Sequence, residues 1–222
     1  MAYKHFFEGI RLTRQGDPEY PSNLTSFPGA PDKLWYRGGL LPGDSYSAAV
    51  IGSRLATEPG QARAKRLGLE LGEAGVTVVS GLAQGIDSAA HQGALQSGRT
   101  VAVIGTGLHR LPGRCPELLR GIEQNGAIVS QHDDPRFTGY PGGRHFLKRN
   151  VIVAGIAQVT VVVEAQLRSG TAHTIRQALS LGRRVGLLQS LVHSQAWAAQ
   201  LAEQEQVFTV RETGCILERL VA

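Results

Sequence analysis

Val76-Thr77-Val78-Val79-Ser80-Gly81-Leu82-Ala83-Gln84-Gly85-Ile86-Asp87 holds a complete structural unit in one short stretch. The valines at 76, 78 and 79 form a β-branched run of the kind that fills a buried strand. Gly81 and Gly85 bracket a loop. The segment that follows, 87–97, places Ala90, Ala94 and Leu95 at helical spacing, with Asp87 or Ser88 available as its cap. The same grammar extends in both directions. Apolar runs recur at 48–51, 101–104, 127–129, 159–163 and 185–188. Between them lie helical segments at 61–73, with Ala64, Leu67 and Leu71 on one face, and at 172–181, with Ile175, Ala178 and Leu179. Strands alternating with helices of this length predict an α/β fold: a mostly parallel sheet with helices on both faces and right-handed crossovers.

Residues 1–45 are rich in Pro, Gly and Ser and predict an irregular segment with one short strand at 34–37, packed on the core. The core occupies 46–190. Residues 191–222 read as a helix–strand–helix extension of the same domain, with a helix at 196–203, a strand at 207–210 and a last helix at 213–220.

Of the 222 residues, 42% are hydrophobic and 18% charged, which excludes global disorder. Glycine, at 28 residues, shows no Gly-X-Y period, so a collagen-like chain is excluded. Two cysteines, Cys115 and Cys215, exclude a disulfide scaffold and a four-cysteine zinc site. The first residues lack the apolar core of a signal peptide. The most apolar stretch, 151–163, is interrupted by Gly155 and Gln158 and falls short of the roughly 20 residues of a membrane span. The expectation is a cytoplasmic protein with no membrane contact.

The net charge of +5 is unevenly placed. Residues 1–45 hold five basic and five acidic groups, 46–190 hold sixteen and nine, and 191–222 hold two and four. The positive excess is confined to the middle, which suggests an anionic partner such as nucleic acid, nucleotide or phosphate.

Ligands of open α/β sheets bind beyond the carboxyl ends of the strands, so the turns there are the candidate site. Gly52-Ser53-Arg54 follows the first core strand and precedes a helix starting near Thr57. It offers close backbone approach, a hydroxyl and a guanidinium fork for phosphate, or else it is a tight turn with a surface arginine. The loop from Ser80 through Gly81 and Gly85 to Asp87 is able to cradle phosphate with backbone N–H groups, although it is neither GxGxxG nor a Walker A motif. His91, one helical turn after Asp87, is expected to hydrogen-bond to it. Gly105-Thr106-Gly107 is followed by His109, Arg110 and Arg114. Arg168-Ser169-Gly170-Thr171 opens another helix, with Ser169 or Thr171 as cap and N–H groups for a phosphate; Glu164, before it, is placed to hold a sugar hydroxyl or a basic side chain. Finally, Arg144-His145-Phe146-Leu147-Lys148-Arg149-Asn150 combines three fixed cations with an aromatic. It fits nucleic-acid backbone contact plus base stacking, or a solvated helix start with Phe146 in the core. The chain has no HExxH, CxxC or GxSxG, its histidines lack metal-ligand spacing, and Asp133-Asp134 reads as a loop. No catalytic residue, metal or cofactor is expected.

In order, these turns resemble the DNA-processing protein A family, also called Smf. The residues that carry the resemblance are Tyr20-Pro21, Leu34-Trp35-Tyr36-Arg37-Gly38, Gly52-Ser53-Arg54 with Ala56-Thr57, Val78 to Ala83, Gly85-Ile86-Asp87, Ala90-His91, Gly105-Thr106-Gly107-Leu108, Arg149-Asn150 with Ile152, Ala154 and Gly155, and Val163-Glu164-Ala165 with Ser169-Gly170. They span roughly 17–188. The resemblance implies an extended Rossmann-like domain over 46–190 that binds single-stranded DNA, dimerises, and loads a RecA-type recombinase during natural transformation without catalytic turnover. The implied binding residues are Gly52, Ser53, Arg54, Ser80, Gly81, Gly85, Asp87, Gly105, Thr106, Gly107, Lys148, Arg149, Asn150, Glu164, Ser169, Gly170 and Thr171.

The chain departs from the family pattern at Gln84, Gln92 and Val151, where members carry basic residues, at Ser130-Gln131, and at Leu188-Gln189-Ser190. It also lacks counterparts of the N-terminal helical domain and C-terminal winged helix of many members, so a minimal or divergent member is expected. One alternative is a nucleotide sensor or a phosphoribohydrolase-like enzyme on the same fold. Another is an interaction module whose partner uses the acidic tail, 203–218.

Overall fold

The computed structural model describes residues 9–25, 27, 29–111, 115–132, 143–167 and 169–221. Arg114, Asp133, Asp134 and Arg168 lie outside them. In chain order the strands are β1 (Arg11–Arg14), β2 (Lys33–Gly38), β3 (Ser47–Ile51), β4 (Thr77–Ser80), β5 (Thr100–Ile104), β6 (Gly126–Ser130), β7 (Val159–Val162), β8 (Arg184–Leu188) and β9 (Val207–Val210). The helices are α1 (Ser22–Thr25), α2 (Glu58–Glu73), α3 (Ile86–Ala94), α4 (Pro116–Asn125), α5 (Arg144–Ile156), α6 (Gly170–Ser180), α7 (Gln189–Ser194), α8 (Ala196–Leu201) and α9 (Gly214–Leu217).

All strands join one sheet in the order β1-β2-β6-β5-β4-β3-β7-β8-β9. From β6 to β9 every pairing is parallel; β2 runs antiparallel to β6, and β1 antiparallel to β2. Strands β3 to β7 are buried along their whole length because both faces are covered. On one face Ala49 and Ile51 pack with Ile152, Val153 and Ile156 of α5 and Ile175 and Ala178 of α6. On the other, Ala48 and Val50 meet Leu67 and Leu71 of α2 and Ala90 and Ala94 of α3. Beside them, α4 contributes Leu118, Leu119 and Ile122 against Ile104 and Ile128. The fold is the expected α/β arrangement.

The N-terminal region departs from expectation. It supplies two strands, not one, and they extend the sheet past β6. Arg-Leu-Thr-Arg in β1 has a single buried residue, Thr13, so no apolar alternation marks it in sequence. The turn after β2 is pinned by buried Asp44, which accepts hydrogen bonds from Arg99 Nε and Nη2 at 3.0 Å each and from Thr77 Oγ1 at 3.0 Å.

Helices α2 and α3 touch backbone to backbone. A Cβ at Gly93 would overlap the Lys65 carbonyl, and one at Gly68 would overlap the Ala90 carbonyl. Gly93→Ala is therefore expected to destabilise the protein. The gain in helix propensity, about 1 kcal/mol, is outweighed by overpacking of roughly 1–3 kcal/mol or more. Denaturant melts check this; an unchanged or raised midpoint would show that the helices separate without cost.

Candidate functional site

The order of the sheet opens a crevice. From β3 the chain leaves toward β4, and from β7 it leaves toward β8, so the turns diverge at the carboxyl ends of two adjacent strands. Ser53 N–H donates to the Glu164 carbonyl at 2.7 Å, and Ile86 N–H donates to the Ser53 carbonyl at 3.2 Å. The three turns after β3, β4 and β7 are thus tied together around a cavity of about 560 Å³.

Arg149 forms its floor. It projects from α5 and is 5% exposed, with Nη1 at 3.8 Å from Asp87 Oδ2 and 3.5 Å from the Val103 carbonyl. A Cβ at residue 81 would overlap this guanidinium, so glycine there leaves it room in this position and a side chain would displace it. Asp87 also accepts from Ala83 N–H at 3.3 Å. Burial pushes the Asp87 carboxyl up, while Arg149 and the neighbouring hydrogen bonds pull it back. Burial in turn lowers the Arg149 pKa, against the pull of Asp87; an arginine stays charged regardless.

Arg54 stands exposed at the mouth with its guanidinium 5.2 Å from the centre of the Phe146 ring. Phe146 is 37% exposed, so the ring is a surface platform and not a core residue. Across the cavity, Ser169, Gly170 and Thr171 present the N-terminus of α6. Thr171 Oγ1 donates to the Gly52 carbonyl at 3.2 Å, and Asn150 Nδ2 donates to the Gly170 carbonyl at 3.1 Å. Ser169 occupies the cap position, yet its hydroxyl donates to the Gln166 carbonyl at 2.7 Å and caps nothing. In the first turn of α6, Ala172 N–H donates to the Ser169 carbonyl at 3.1 Å, which leaves the N–H groups of Gly170 and Thr171 facing the cavity for an anion.

Ten expected residues line this cavity: Gly52, Ser53, Arg54, Gly81, Asp87, Arg149, Asn150, Ser169, Gly170 and Thr171. Gly85, Gly105 and Thr106 line a second cavity beside it. Ser80, Gly107, Lys148 and Glu164 line neither. Ser80 is buried and donates to the Val50 carbonyl at 2.6 Å. Gly107 leads into the 3-10 turn Leu108–Arg110. Lys148 is exposed on α5 near His132, whose pKa is lowered by burial first and then by Lys148 and His145.

Three local expectations are corrected. Among the described residues Glu164 meets no basic side chain: its Oε2 accepts from Thr57 N–H at 3.0 Å, at the N-terminus of α2. The cap position of α3 is Gly85, because the helix starts one residue before Asp87. His91 does not meet Asp87. Its Nδ1 shares a 2.6 Å hydrogen bond with Thr100 Oγ1, and full burial followed by the Arg149 charge pushes its pKa down to about 3. The helix expected to start near Thr57 is α2, and Thr57 caps it, its hydroxyl accepting from Gly60 N–H at 3.1 Å. Sequence reasoning passed over Leu55, Val153, Gln166 and Thr174, which also line the first cavity; none carries a pattern of its own. Among the described residues no group of three potential metal ligands converges, and no helix is long and apolar enough to cross a membrane.

The sheet, with a cationic, glycine-walled crevice at its switch point, defines a Rossmann-like α/β protein. Within that class, the chain belongs to the DNA recombination-mediator protein A family, whose model matches residues 11–219. It is 40% identical over 171 residues to the protein Smf of Escherichia coli, covering 75% of this chain and 44% of that protein. The DNA processing protein A (DprA) of Streptococcus pneumoniae superposes with a TM-score of 0.81 at 31% identity, covering 98% of this chain and 77% of that one. DprA of Helicobacter pylori, known for its single-stranded DNA binding mode, shares the fold with a TM-score of 0.81 at 24% identity, covering 96% and 98%. The chain spans about half the length of the curated relatives it matches.

Proposed function

We propose that the crevice binds single-stranded DNA and that the chain, as a cytoplasmic homodimer, hands the strand to a RecA-type recombinase. The observation that carries the binding step is the exposed Arg54–Phe146 pair above the buried Arg149 guanidinium. Cations that track phosphates, together with an aromatic face for a base, are the two components of sequence-tolerant single-strand binding. The family's role as a recombination mediator supports the second step. The enzyme alternative has less support. At the crevice Glu164 Oε2 accepts from the N-terminus of α2 and Asp87 pairs with Arg149, so both carboxylates have structural partners.

Titration of a fluorescent single-stranded oligonucleotide at two salt concentrations tests the reading, with an equal-length duplex and free nucleotides as competitors. The expected result is binding that weakens steeply with salt and that duplex competes for poorly. A protein that ignores the oligonucleotide but gains thermal stability from a free nucleotide is instead a nucleotide sensor.

A further inference from the structure

Among the described residues, Leu82 is the only one other than glycine with a positive φ, at +56°. For a residue with a side chain this left-handed conformation is costly, because Cβ crowds the carbonyl oxygen that follows. Such backbone persists only where its surroundings hold it. Here the hold is apolar packing. The half-buried Leu82 side chain lies against the cluster of β5, β6 and α4 that includes Ile104, Leu108 and Leu118.

The side chain of Leu82 belongs to that cluster, yet its two neighbours, Gly81 and Ala83, line the first cavity. Gly81 is where the backbone makes room for the Arg149 guanidinium. Ala83 N–H donates to Asp87 Oδ2 at 3.3 Å, and the Ala83 carbonyl accepts from Ser88 N–H at 3.0 Å and from Ser88 Oγ at 2.7 Å. Asp87 Oδ2 is also the oxygen 3.8 Å from Arg149 Nη1. Rotation about φ of residue 82 therefore cannot keep Gly81 beside the guanidinium and Ala83 N–H on the carboxylate at once.

We propose that Leu82 is a positioning residue for strand binding: its anchored side chain holds the loop in the left-handed turn, and the turn keeps the Asp87–Arg149 pair in place beneath the crevice. Leu82 acts through that pair and not by contact with the strand. This rests on the single-stranded DNA reading above. The fraction of molecules with the turn formed is the fraction able to bind, so losing the turn shows as a proportional loss of affinity. A smaller side chain loses the anchor and keeps the backbone penalty. Glycine loses the anchor and the penalty together, so it still forms the turn.

The test is a series of substitutions at residue 82 in which turn-setting and packing predict opposite orders. Turn-setting ranks affinity for a fluorescent single-stranded oligonucleotide as parent, Leu82→Gly, Leu82→Ala, Leu82→Val. A β-branched residue tolerates a positive φ least. Leu82→Val is expected to bind about tenfold more weakly than the parent, and Leu82→Gly within about threefold of it. Packing alone ranks the variants the other way, with Leu82→Val best and Leu82→Gly worst, because contact with the apolar cluster shrinks in that order. Hydrogen exchange of the Ala83 amide reads the turn without DNA. It should quicken most in Leu82→Val and least in Leu82→Gly. The packing order, or four proteins of equal affinity, overturns the positioning role and leaves the DNA reading standing. A parent protein that binds no oligonucleotide overturns both.

Discussion

Arg149→Met is expected to cost about 3 kcal/mol or more of stability near neutral pH, together with most of the affinity for single-stranded DNA. The substitution leaves Asp87, 6% exposed, as a buried carboxylate without its cation. Burial already pushes the Asp87 pKa up, and Arg149 is the strongest influence pulling it down. Without that cation the folded-state pKa rises further above the unfolded value of about 3.9. The folded state then binds more protons than the unfolded state between those two values, so stability falls as pH rises through that window. The deficit of the variant is therefore smallest in acid and fully developed above the raised pKa. Asp87→Asn added to Arg149→Met removes the stranded charge and should recover much of the loss. Urea melts of the single and double variants at about pH 5 and pH 7.5 decide the matter. Equal deficits at both pH values, or no recovery in the double variant, would mean that the pair is not the electrostatic unit its geometry implies.

Arg54→Ala and Phe146→Ala should both weaken oligonucleotide binding, but through different physics. Loss of the Arg54 charge is expected to flatten the slope of log affinity against log salt by about 0.7, the share of one phosphate contact on a single strand. Loss of the Phe146 ring should leave the slope alone and cost about 1–3 kcal/mol, the worth of one base stack. The guanidinium lies over the ring, so the double variant should lose less than the sum of the two. Salt-dependent titrations of the four proteins close the cycle. An unchanged slope in Arg54→Ala would place the phosphate elsewhere.

Much of this architecture is legible in the sequence, because fully buried parallel strands announce themselves as apolar runs. Each of the six runs became a strand, with ends shifted by a residue or so, as for Thr77–Ser80 against 76–79. The stretch 151–163 was harder. Its apolar character resumes on both sides of Gly155 and Gln158, spanning the end of α5 and the whole of β7, and the turn at Ala157 and Gln158 separates the two elements. Strand β1 was invisible because an edge strand with one buried side chain needs no apolar period. At the site, glycine turns and cations stood out because their residue types are unusual at strand ends. The roles of Glu164 and His91 did not, because one carboxylate and one imidazole have several partners within reach and only the packed geometry selects among them. Leu55 carried no signal at all, since a single exposed leucine is ordinary anywhere on a surface.

The central position of β3 has a consequence for the growing chain. Its partners are β4, close behind it in sequence, and β7, where Ala48 pairs with Val159, more than a hundred residues later. During synthesis from the N-terminus, the future middle of the sheet must therefore spend time as an open border, with Ala48 to Ile51 presenting apolar side chains and unpaired amides. The crevice is among the last features to close, because one of its walls does not exist until β7 arrives. A nascent chain at that stage is at its most vulnerable to pairing with a neighbour, and the strand that eventually seals the border also completes the binding site.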